Sequence, residues 1–217
     1  MIVAIDGPAA SGKGTLARRL ATHFGFAHLD TGKLYRATAL HALERGGDPG
    51  DAAVAEAGAR KVRPPDLGNP RLLDEDVAQA ASVVAAIPAV RQALIAFQRD
   101  FAHHPPGGTG AVLDGRDIGT VICPGAAVKF FVTASLEARA RRRFQELREA
   151  GGNAIYERVL QDMKNRDARD SERRTAPLVP ADDAFVIDTT ALDADAVFAV
   201  ALDHIGRVRA AKAPPQG

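Results

Sequence analysis

The sequence predicts an α/β protein in which a parallel β-sheet is covered by helices on both faces. Five short apolar runs alternate with longer stretches whose apolar residues recur at helical spacing. Strands that are buried on both faces read as continuous apolar runs, as these do. The chain has 217 residues, of which 46% are hydrophobic, so it can bury a sizeable core. We expect a single three-layer domain over residues 1–213 and a disordered tail at 214–217.

Three of the predicted strands lead directly into polar turns. These turns are Asp6-Gly7, Asp30-Thr31-Gly32 and the segment 114–117. Because the carboxyl ends of parallel strands lie at one edge of a sheet, we expect the three turns to converge on one ligand site. The five predicted strands cover residues 1–6, 26–30, 110–114, 128–132 and 184–188.

Glycine and proline residues mark the ends of the predicted helices. Pro88 indicates a helix start, and the pairs Gly46-Gly47 and Gly151-Gly152 indicate two helix ends. Residues 62–73 contain three prolines and a glycine, so we expect them to be irregular. The predicted helices cover 16–24, 33–44, 51–61, 74–84, a segment from 88 to the loop at 103–110, 135–150, 153–171 and 193–209.

The composition excludes several classes of protein. The net charge is +1, which gives no reason to expect binding to nucleic acid or to a membrane surface. Cys123 is the only cysteine, which excludes an intrachain disulfide and a cysteine-rich metal site. The N-terminus does not resemble a secretion signal, and no apolar run is long enough to cross a bilayer. We expect a cytoplasmic monomer.

The segment 7–15 has the composition of a phosphate-binding loop between a strand and a helix. Its glycines let backbone N–H groups turn toward phosphate oxygens, and the helix N-terminus adds further donors. Lys13 can reach the terminal phosphates, and Thr15 can hold Mg²⁺ or one of its waters. The alternative is a glycine-rich turn with a surface lysine. The segment reads Gly7-Pro8-Ala9-Ala10-Ser11-Gly12-Lys13-Gly14-Thr15.

One residue of this loop departs from the strict pattern, which places Ser or Thr directly after the lysine. Here Gly14 stands between Lys13 and Thr15. The form Gly-Lys-Gly-Thr is seen in nucleoside monophosphate kinases, so the departure indicates a subclass of phosphate-binding loop.

The other polar turns carry further candidate ligands. Asp114 ends a strand and can bind a water of Mg²⁺, with a turn aspartate that caps the next segment as the alternative. Arg116 and Asp117 follow it, with a structural ion pair as the alternative. Thr31 is placed to cap the helix that carries Arg36, an arginine able to fork onto a phosphate. A capping threonine without a ligand is the alternative there.

Residues 139–174 form a basic region with ten arginines and one lysine among seven acidic residues. We predict that 144–165 is a mobile lid, because this segment contains Gly151-Gly152 and shows little apolar surface. A lid could bring arginines to a migrating phosphoryl group, whereas the alternative is a solvated pair of salt-bridged helices. Residues that share helix faces are Arg139, Arg142 and Arg143, and then Arg166, Arg169, Asp170 and Arg173.

Together these segments resemble the bacterial cytidylate kinases along nearly the whole chain. A phosphate loop alone is typical of many nucleotide kinases. The combination of 115–121, Gly-Arg-Asp-Ile-Gly-Thr-Val, with 85–91, Ala-Ala-Ile-Pro-Ala-Val-Arg, is specific to this family. The matching segments are 5–15, 29–36, 84–99, 114–121 and 166–178.

The resemblance implies a role for each candidate residue. Cytosine offers one amino donor and two acceptors, which suits a carboxylate together with hydroxyl and guanidinium donors. The implied cytosine contacts are Ser82, Arg91 and Asp117. The implied ligands of the CMP phosphate are Thr31, Arg36, Arg116 and Arg173, and those of the sugar are Arg166 and Asp170. Arg139, Arg142 and Arg143 are implied to lie near ATP. The implied catalytic residues are Lys13, Arg116 and Arg173, and the implied metal contacts are Thr15 and, through water, Asp114.

The resemblance also implies the activity: an α/β P-loop kinase that transfers the γ-phosphoryl group of ATP to CMP or dCMP with Mg²⁺. The CMP-binding region would cover about 33–108. Residues 61–75 are too short and too rich in proline for the three-stranded insert that these enzymes usually carry, so we expect the insert to be reduced or absent.

Three other functions remain as alternatives. A kinase for UMP or AMP would share the phosphate loop. A GTP-dependent switch would be expected to carry Asn-Lys-x-Asp, and the sequence contains no Asn-Lys pair. An RNA-binding protein is disfavoured by the acidic residues among the arginines and by the low net charge.

Overall fold

A computed structural model of the chain describes residues 1–212, so the predicted disorder of 214–217 lies outside the described residues. The strands are β1 (Ile2–Asp6), β2 (Ala27–Asp30), β3 (Ala111–Gly115), β4 (Val128–Thr133) and β5 (Phe185–Asp188). The helices are α1 (Lys13–Phe24), α2 (Gly32–Leu43), α3 (Ala52–Ala59), α4 (Glu75–Val84), α5 (Pro88–His103), α6 (Leu136–Glu149), α7 (Tyr156–Glu172) and α8 (Ala194–Lys212). Short helical turns cover Pro64–Gly68, Pro70–Leu73 and Ile118–Ile122.

The five strands form one sheet in the order β2-β3-β1-β4-β5, and every neighbouring pair is parallel. The fold class predicted from the apolar runs is therefore confirmed. The central position of β1 follows from its sequence, because Val3, Ala4 and Ile5 are fully buried and need cover on both faces.

Two apolar clusters lie on opposite faces of this sheet. Ala4 of β1 packs into the cluster formed with α2 to α5, whereas its neighbours Val3 and Ile5 pack into the cluster formed with α1 and α8. Successive side chains of a strand point to opposite faces, so this division is the one that a covered parallel strand requires. The sheet is the middle of three layers, and its carboxyl edge carries the loops.

The segment between α3 and α4 forms two consecutive 3₁₀ turns rather than an inserted sheet. This agrees with the prediction that residues 61–75 are too short for the insert. Leu72 in the second turn is buried in the core beside α2, and the Arg36 guanidinium donates to its carbonyl oxygen at 2.6 Å. The turns therefore brace α2 from outside.

Helices α6 and α7 pack against each other through a small apolar cluster. Its buried members are Ala140, Val159 and Met163, and Ala9 and Ala10 of the phosphate-binding loop pack against them. The expectation that segment 144–165 shows little apolar surface is wrong, because successive turns of α7 place Val159 and Met163 on the same buried face.

Within residues 1–212, no single helix has both the length and the apolar composition needed to cross a membrane. Only the bent pair α4 and α5, which meet at 100°, reaches that length and composition together.

Candidate active site

A cleft of about 420 Å³ lies at the carboxyl edge of the sheet. The parallel register places Asp6 opposite Gly115, and Asp30 opposite Asp114. The three polar turns thus converge, as their positions after the strands predict. The cleft is lined on one side by residues 9–15, which follow β1, and on the other by α6, α7 and the loop between them.

The loop between β1 and α1 approaches its neighbours too closely for most side chains. A Cβ atom at Gly7 would collide with the carbonyl oxygen of Val132 on β4, so only glycine fits there. The hydroxyl of Ser11 is buried and has no hydrogen-bond partner among the described residues. The loop is therefore held tightly against the sheet.

Lys13 begins α1 and points into the cleft. Its Nζ donates to the carbonyl oxygen of Pro8, earlier in the same loop, at 3.1 Å. Burial, and next the positive charge of Arg116, lower the pKa of Lys13 to about 7. A lysine in this condition would be stabilised as a cation by any bound anion.

Acidic and hydroxyl oxygens line the same side of the cleft. Asp114 Oδ1 lies 2.8 Å from Nε2 of His28 on β2, and Asp30 and Thr15 also face the cleft. His28 and Asp30 were not predicted as site residues, because their pairing with Asp114 depends on the strand order. Among the described residues no three His, Cys, Asp or Glu side chains form a metal-binding group. Two carboxylates and a hydroxyl nevertheless fit Mg²⁺, which keeps several waters and takes few protein ligands.

A second, smaller cavity of about 50 Å³ lies beside the cleft. It is enclosed by residues from α2, α4, α5, α7 and the turn after β3. Every residue that the resemblance assigns to CMP lines it: Thr31, Arg36, Ser82, Arg91, Arg116, Asp117, Arg166, Asp170 and Arg173. The structure therefore brings together side chains that lie more than a hundred residues apart in the sequence.

A buried ion pair between Arg91 and Asp117 forms one end of this cavity. The two side chains are 4% and 5% exposed, so neither is solvated except through the cavity. Buried charges of this kind are held only when they are paired. Asp117 therefore pairs with Arg91 and not with its neighbour Arg116, which pairs with Asp170 instead. The Asp117 carboxylate also lines the cavity.

The other end of the cavity is rich in arginine. Arg116 Nε donates to Asp170 Oδ2 at 2.8 Å, while the buried Nε of Arg166 and Nη2 of Arg173 have no partner among the described residues. Burial, and next the charge of Arg116, lower the pKa of Arg166 to about 10. Buried donors without partners are costly, and an anion placed between them would satisfy both.

Thr31 occupies the first position before α2, but its side chain does not cap that helix. Its hydroxyl donates instead to the carbonyl oxygen of Asp114 at 2.8 Å. The predicted capping role is therefore wrong, because the close approach of β3 offers a buried acceptor. A Cβ atom at Gly115 would lie 2.5 Å from Thr31 Oγ1, so glycine permits this approach.

Asp6 supports the site from below, a role that the sequence did not indicate. Its two carboxylate oxygens accept from the backbone N–H groups of Ile118 and Gly119, at 2.8 and 2.7 Å. These bonds fix the turn Ile118–Ile122, which directly follows Arg116 and Asp117. Burial raises the pKa of Asp6 to about 6, against the opposing effect of the two N–H donors.

The three arginines of α6 have different surroundings. Arg143 lines the cleft and pairs with Glu75 on α4. Arg139 instead forms a two-bond pair with Asp167 on α7, and Arg142 donates to Thr189, whose hydroxyl in turn donates to the Ser11 carbonyl. Neither Arg139 nor Arg142 lines the cleft, so they brace the loop, and their contact with ATP stays a prediction.

Two further arginines, which were not predicted as site residues, line the cleft. Arg18, one turn into α1, has its guanidinium 3.3 Å from Thr15 Oγ1, and Arg158 lies on α7 facing the loop. The signal available for Arg18 was its helical spacing from Thr15, which places both on one face.

Comparison with known proteins identifies the family that this chain resembles. A family model described as cytidylate kinase matches residues 3–207. The chain is 61% identical over 208 residues to a cytidylate kinase of Paramagnetospirillum magneticum, covering 96% of this chain and 99% of the relative. It is 61% identical over 205 residues to a cytidylate kinase of Rhodospirillum rubrum, covering 94% and 96%.

One solved structure is similar in fold alone. The crystal structure of an uncharacterized protein from Eubacterium ventriosum aligns with a TM-score of 0.52 at 14% identity, covering 95% of this chain and 98% of that one.

Proposed function

The chain belongs to the cytidylate kinase family, and on that premise we propose how its residues transfer the γ-phosphoryl group of ATP to CMP and to dCMP. The observation that carries the proposal is the pair of adjoining cavities. The larger is lined by the phosphate-binding loop, and the smaller by the nine residues assigned to CMP. Arg36, Arg116 and Arg166 line both cavities. These three arginines could therefore contact phosphate groups of either nucleotide where the cavities meet.

ATP would occupy the larger cleft with its phosphates on the loop. Residues 9–15 line that cleft at the N-terminus of α1, where backbone N–H groups and the helix dipole favour anions. Lys13 would leave the Pro8 carbonyl and contact the β- and γ-phosphates. Positive charge around the triphosphate would also come from three arginines that line the cleft, Arg18, Arg143 and Arg158.

CMP would occupy the smaller cavity with its base at the closed end. Asp117 would accept from the cytosine amino group, while Arg91 and Ser82 would donate to the ring acceptors. At about 50 Å³ the cavity is narrow, so side chains that line it must rearrange when CMP enters. Arg166 and Asp170 would meet the sugar, and Arg173 would meet the phosphate.

Transfer then needs positioning and charge neutralisation rather than a covalent intermediate. An oxygen of the CMP phosphate attacks the γ-phosphorus as the bond from that phosphorus to the bridging oxygen of ADP breaks. Lys13, Arg116 and Arg173 would share the negative charge on the migrating group. No general base is required, because the attacking oxygen is already an anion.

Mg²⁺ would be held by Thr15 and, through water, by Asp114. When bound, it would offset charge on the ATP phosphates. Asp114 is kept in place for this role by its contact with His28 and by the hydrogen bond from Thr31 to its carbonyl oxygen.

A panel of nucleoside monophosphates tests the substrate. ADP release with saturating ATP and Mg²⁺ is measured by a coupled assay for CMP, dCMP, UMP and AMP. We expect kcat/KM to be highest for CMP or dCMP. A strong preference for UMP or AMP would overturn the assignment to cytidine nucleotides.

The expectation that the protein is a cytoplasmic monomer also stays a prediction.

A further inference from the structure

Arg169 on α7 makes a contact that the proposed reaction does not use. Its Nε lies 3.0 Å from the hydroxyl oxygen of Ser82 on α4. Arg169 is an exposed residue outside both cavities, whereas Ser82 is 4% exposed and lines the smaller one. The arginine therefore touches a buried residue of the cavity from outside.

The direction of this hydrogen bond is fixed by chemistry. An arginine Nε–H can only donate, so Ser82 Oγ must be the acceptor. The serine hydroxyl makes no other hydrogen bond within the described chain. Its own hydrogen is therefore free to be donated into the cavity, and the adjacent positive charge makes the hydroxyl a better donor and a poorer acceptor.

We propose that Arg169 is a positioning residue for base selection: it sets the Ser82 hydroxyl as a donor, which favours cytosine over uracil. This inference rests on the proposed function, because it assumes that the base lies against Ser82. Cytosine has an acceptor at ring position 3, whereas uracil has an N–H donor there. A serine that is fixed as a donor can bond the first base and opposes the second.

Selection at Ser82 complements selection at Asp117. The carboxylate of Asp117 can accept from the amino group of cytosine but repels the carbonyl oxygen that uracil carries in its place. Asp117 is oriented by Arg91, and Ser82 is oriented by Arg169. Asp117 and Ser82, the two residues that we assign to base selection, are thus each paired with one arginine. Because Arg169 lies on α7, selection through Ser82 requires α7 to pack against α4.

Other ion pairs join the elements around the smaller cavity. Arg143 on α6 already pairs with Glu75 at the start of α4, and Arg116 already pairs with Asp170 on α7. Neither contact reaches a residue that we assign to the base. The contact of Arg169 is the one that ends on such a residue.

The test compares kcat/KM for CMP and UMP in the wild type, Arg169→Met, Ser82→Ala and the double variant. We expect Arg169→Met to lower the CMP-to-UMP ratio about tenfold, the effect of one oriented hydrogen bond. Ser82→Ala should lower it by a similar factor, and the double variant should be no worse than either single variant, because both changes remove the same selection. Arg174→Met, an exposed arginine that lines neither cavity, is the matched control and should keep the wild-type ratio.

Two outcomes would overturn the inference. One is an equal fall in kcat/KM for CMP and UMP in Arg169→Met, which describes a strut between helices. The other is an additive loss in the double variant, which means that Arg169 does not act through Ser82. The proposed function fails separately, if the wild type neither phosphorylates CMP nor binds it in calorimetry. Circular dichroism of each variant confirms that it is folded.

Discussion

Lys13 is the residue whose protonation should report ATP binding. In the ligand-free protein, burial and the charge of Arg116 lower its pKa to about 7 from the usual 10.5. The phosphates of ATP should raise that pKa again, because they stabilise the cation. Binding at pH 8 should therefore take up a proton, and affinity for ATP should fall as pH rises above about 7. Calorimetry in buffers of different ionisation enthalpy measures this uptake.

The control for this prediction is Lys13→Met, which keeps much of the side-chain length but cannot be protonated. It should bind ATP without proton uptake at pH 8. Equal uptake by the wild type and the variant would assign the proton to another group in the cleft.

Asp117 should affect CMP far more than ATP. Asp117→Ala removes the acceptor for the cytosine amino group, so we expect KM for CMP to rise while KM for ATP changes little. The lost hydrogen bond to a charged group corresponds to about 1.5–3 kcal/mol. The variant should also be less stable, by about 3–5 kcal/mol, because it leaves Arg91 buried without its partner. Steady-state kinetics and urea unfolding measure the two effects.

A double variant separates the two effects of Asp117. Arg91→Met combined with Asp117→Ala leaves no unpaired charge in the cavity, so the free energy of unfolding should recover. KM for CMP should stay high. Recovery of both quantities would mean that Asp117 serves only the fold.

At the scale of residues, the sequence indicated which side chains line the site but not their partners. Lys13 and Asp117 belong to contiguous motifs, so their positions could be read directly. The contacts of Asp114 with His28, and of Arg169 with Ser82, join residues 86 and 87 positions apart. Such pairs are set by strand order and helix packing, which no local pattern specifies.

At the scale of elements, the pair α6 and α7 should move as the substrates bind. The smaller cavity is narrow, at about 50 Å³, and Gly151, with φ of 81°, lies between the two helices. We expect hydrogen exchange of residues 144–165 to slow when CMP and a non-hydrolysable ATP analogue are both bound. Equal protection with and without ligands would describe a rigid hairpin.

The apolar cluster between α6, α7 and the phosphate-binding loop should limit how far residues 144–165 can move. Val159 and Met163 pack on Ala9 and Ala10, so α7 contacts the phosphate-binding loop even without nucleotide. Val159→Ala should speed exchange of 144–165 in the ligand-free protein, because it removes part of this small contact. Exchange in the α8 segment, on the other side of the molecule, serves as the internal control and should be unchanged.

The elements differed in how well the sequence specified them. The five strands could be predicted because a buried parallel strand leaves a continuous apolar run. The turn Ile118–Ile122 could not, because it is fixed by Asp6, 112 positions away in the sequence. The apolar cluster of α6 and α7 was missed because only two of its three buried side chains lie on the same helix, among many charged residues.

At the scale of the whole molecule, we expect the short turns at 64–73 to connect stability with CMP binding. They follow α3, and Leu72 joins the core formed by α2 to α5. The carbonyl oxygen of Leu72 accepts from Arg36, which we assign to the CMP phosphate. The position of Arg36 therefore depends on how firmly Leu72 is packed.

Leu72→Ala and Leu73→Ala test this connection as a matched pair. Leu72 is 1% exposed and Leu73 is 75% exposed, although the two are adjacent and chemically identical. Leu72→Ala should lower the free energy of unfolding by about 2–5 kcal/mol, because it opens a cavity in the core. It should also raise KM for CMP while KM for ATP stays near the wild-type value, because the turn that holds Arg36 loosens. Leu73→Ala should change neither quantity. If Leu72→Ala destabilises the protein but leaves KM for CMP unchanged, the turns serve the fold alone, and Arg36 is positioned by α2 without them.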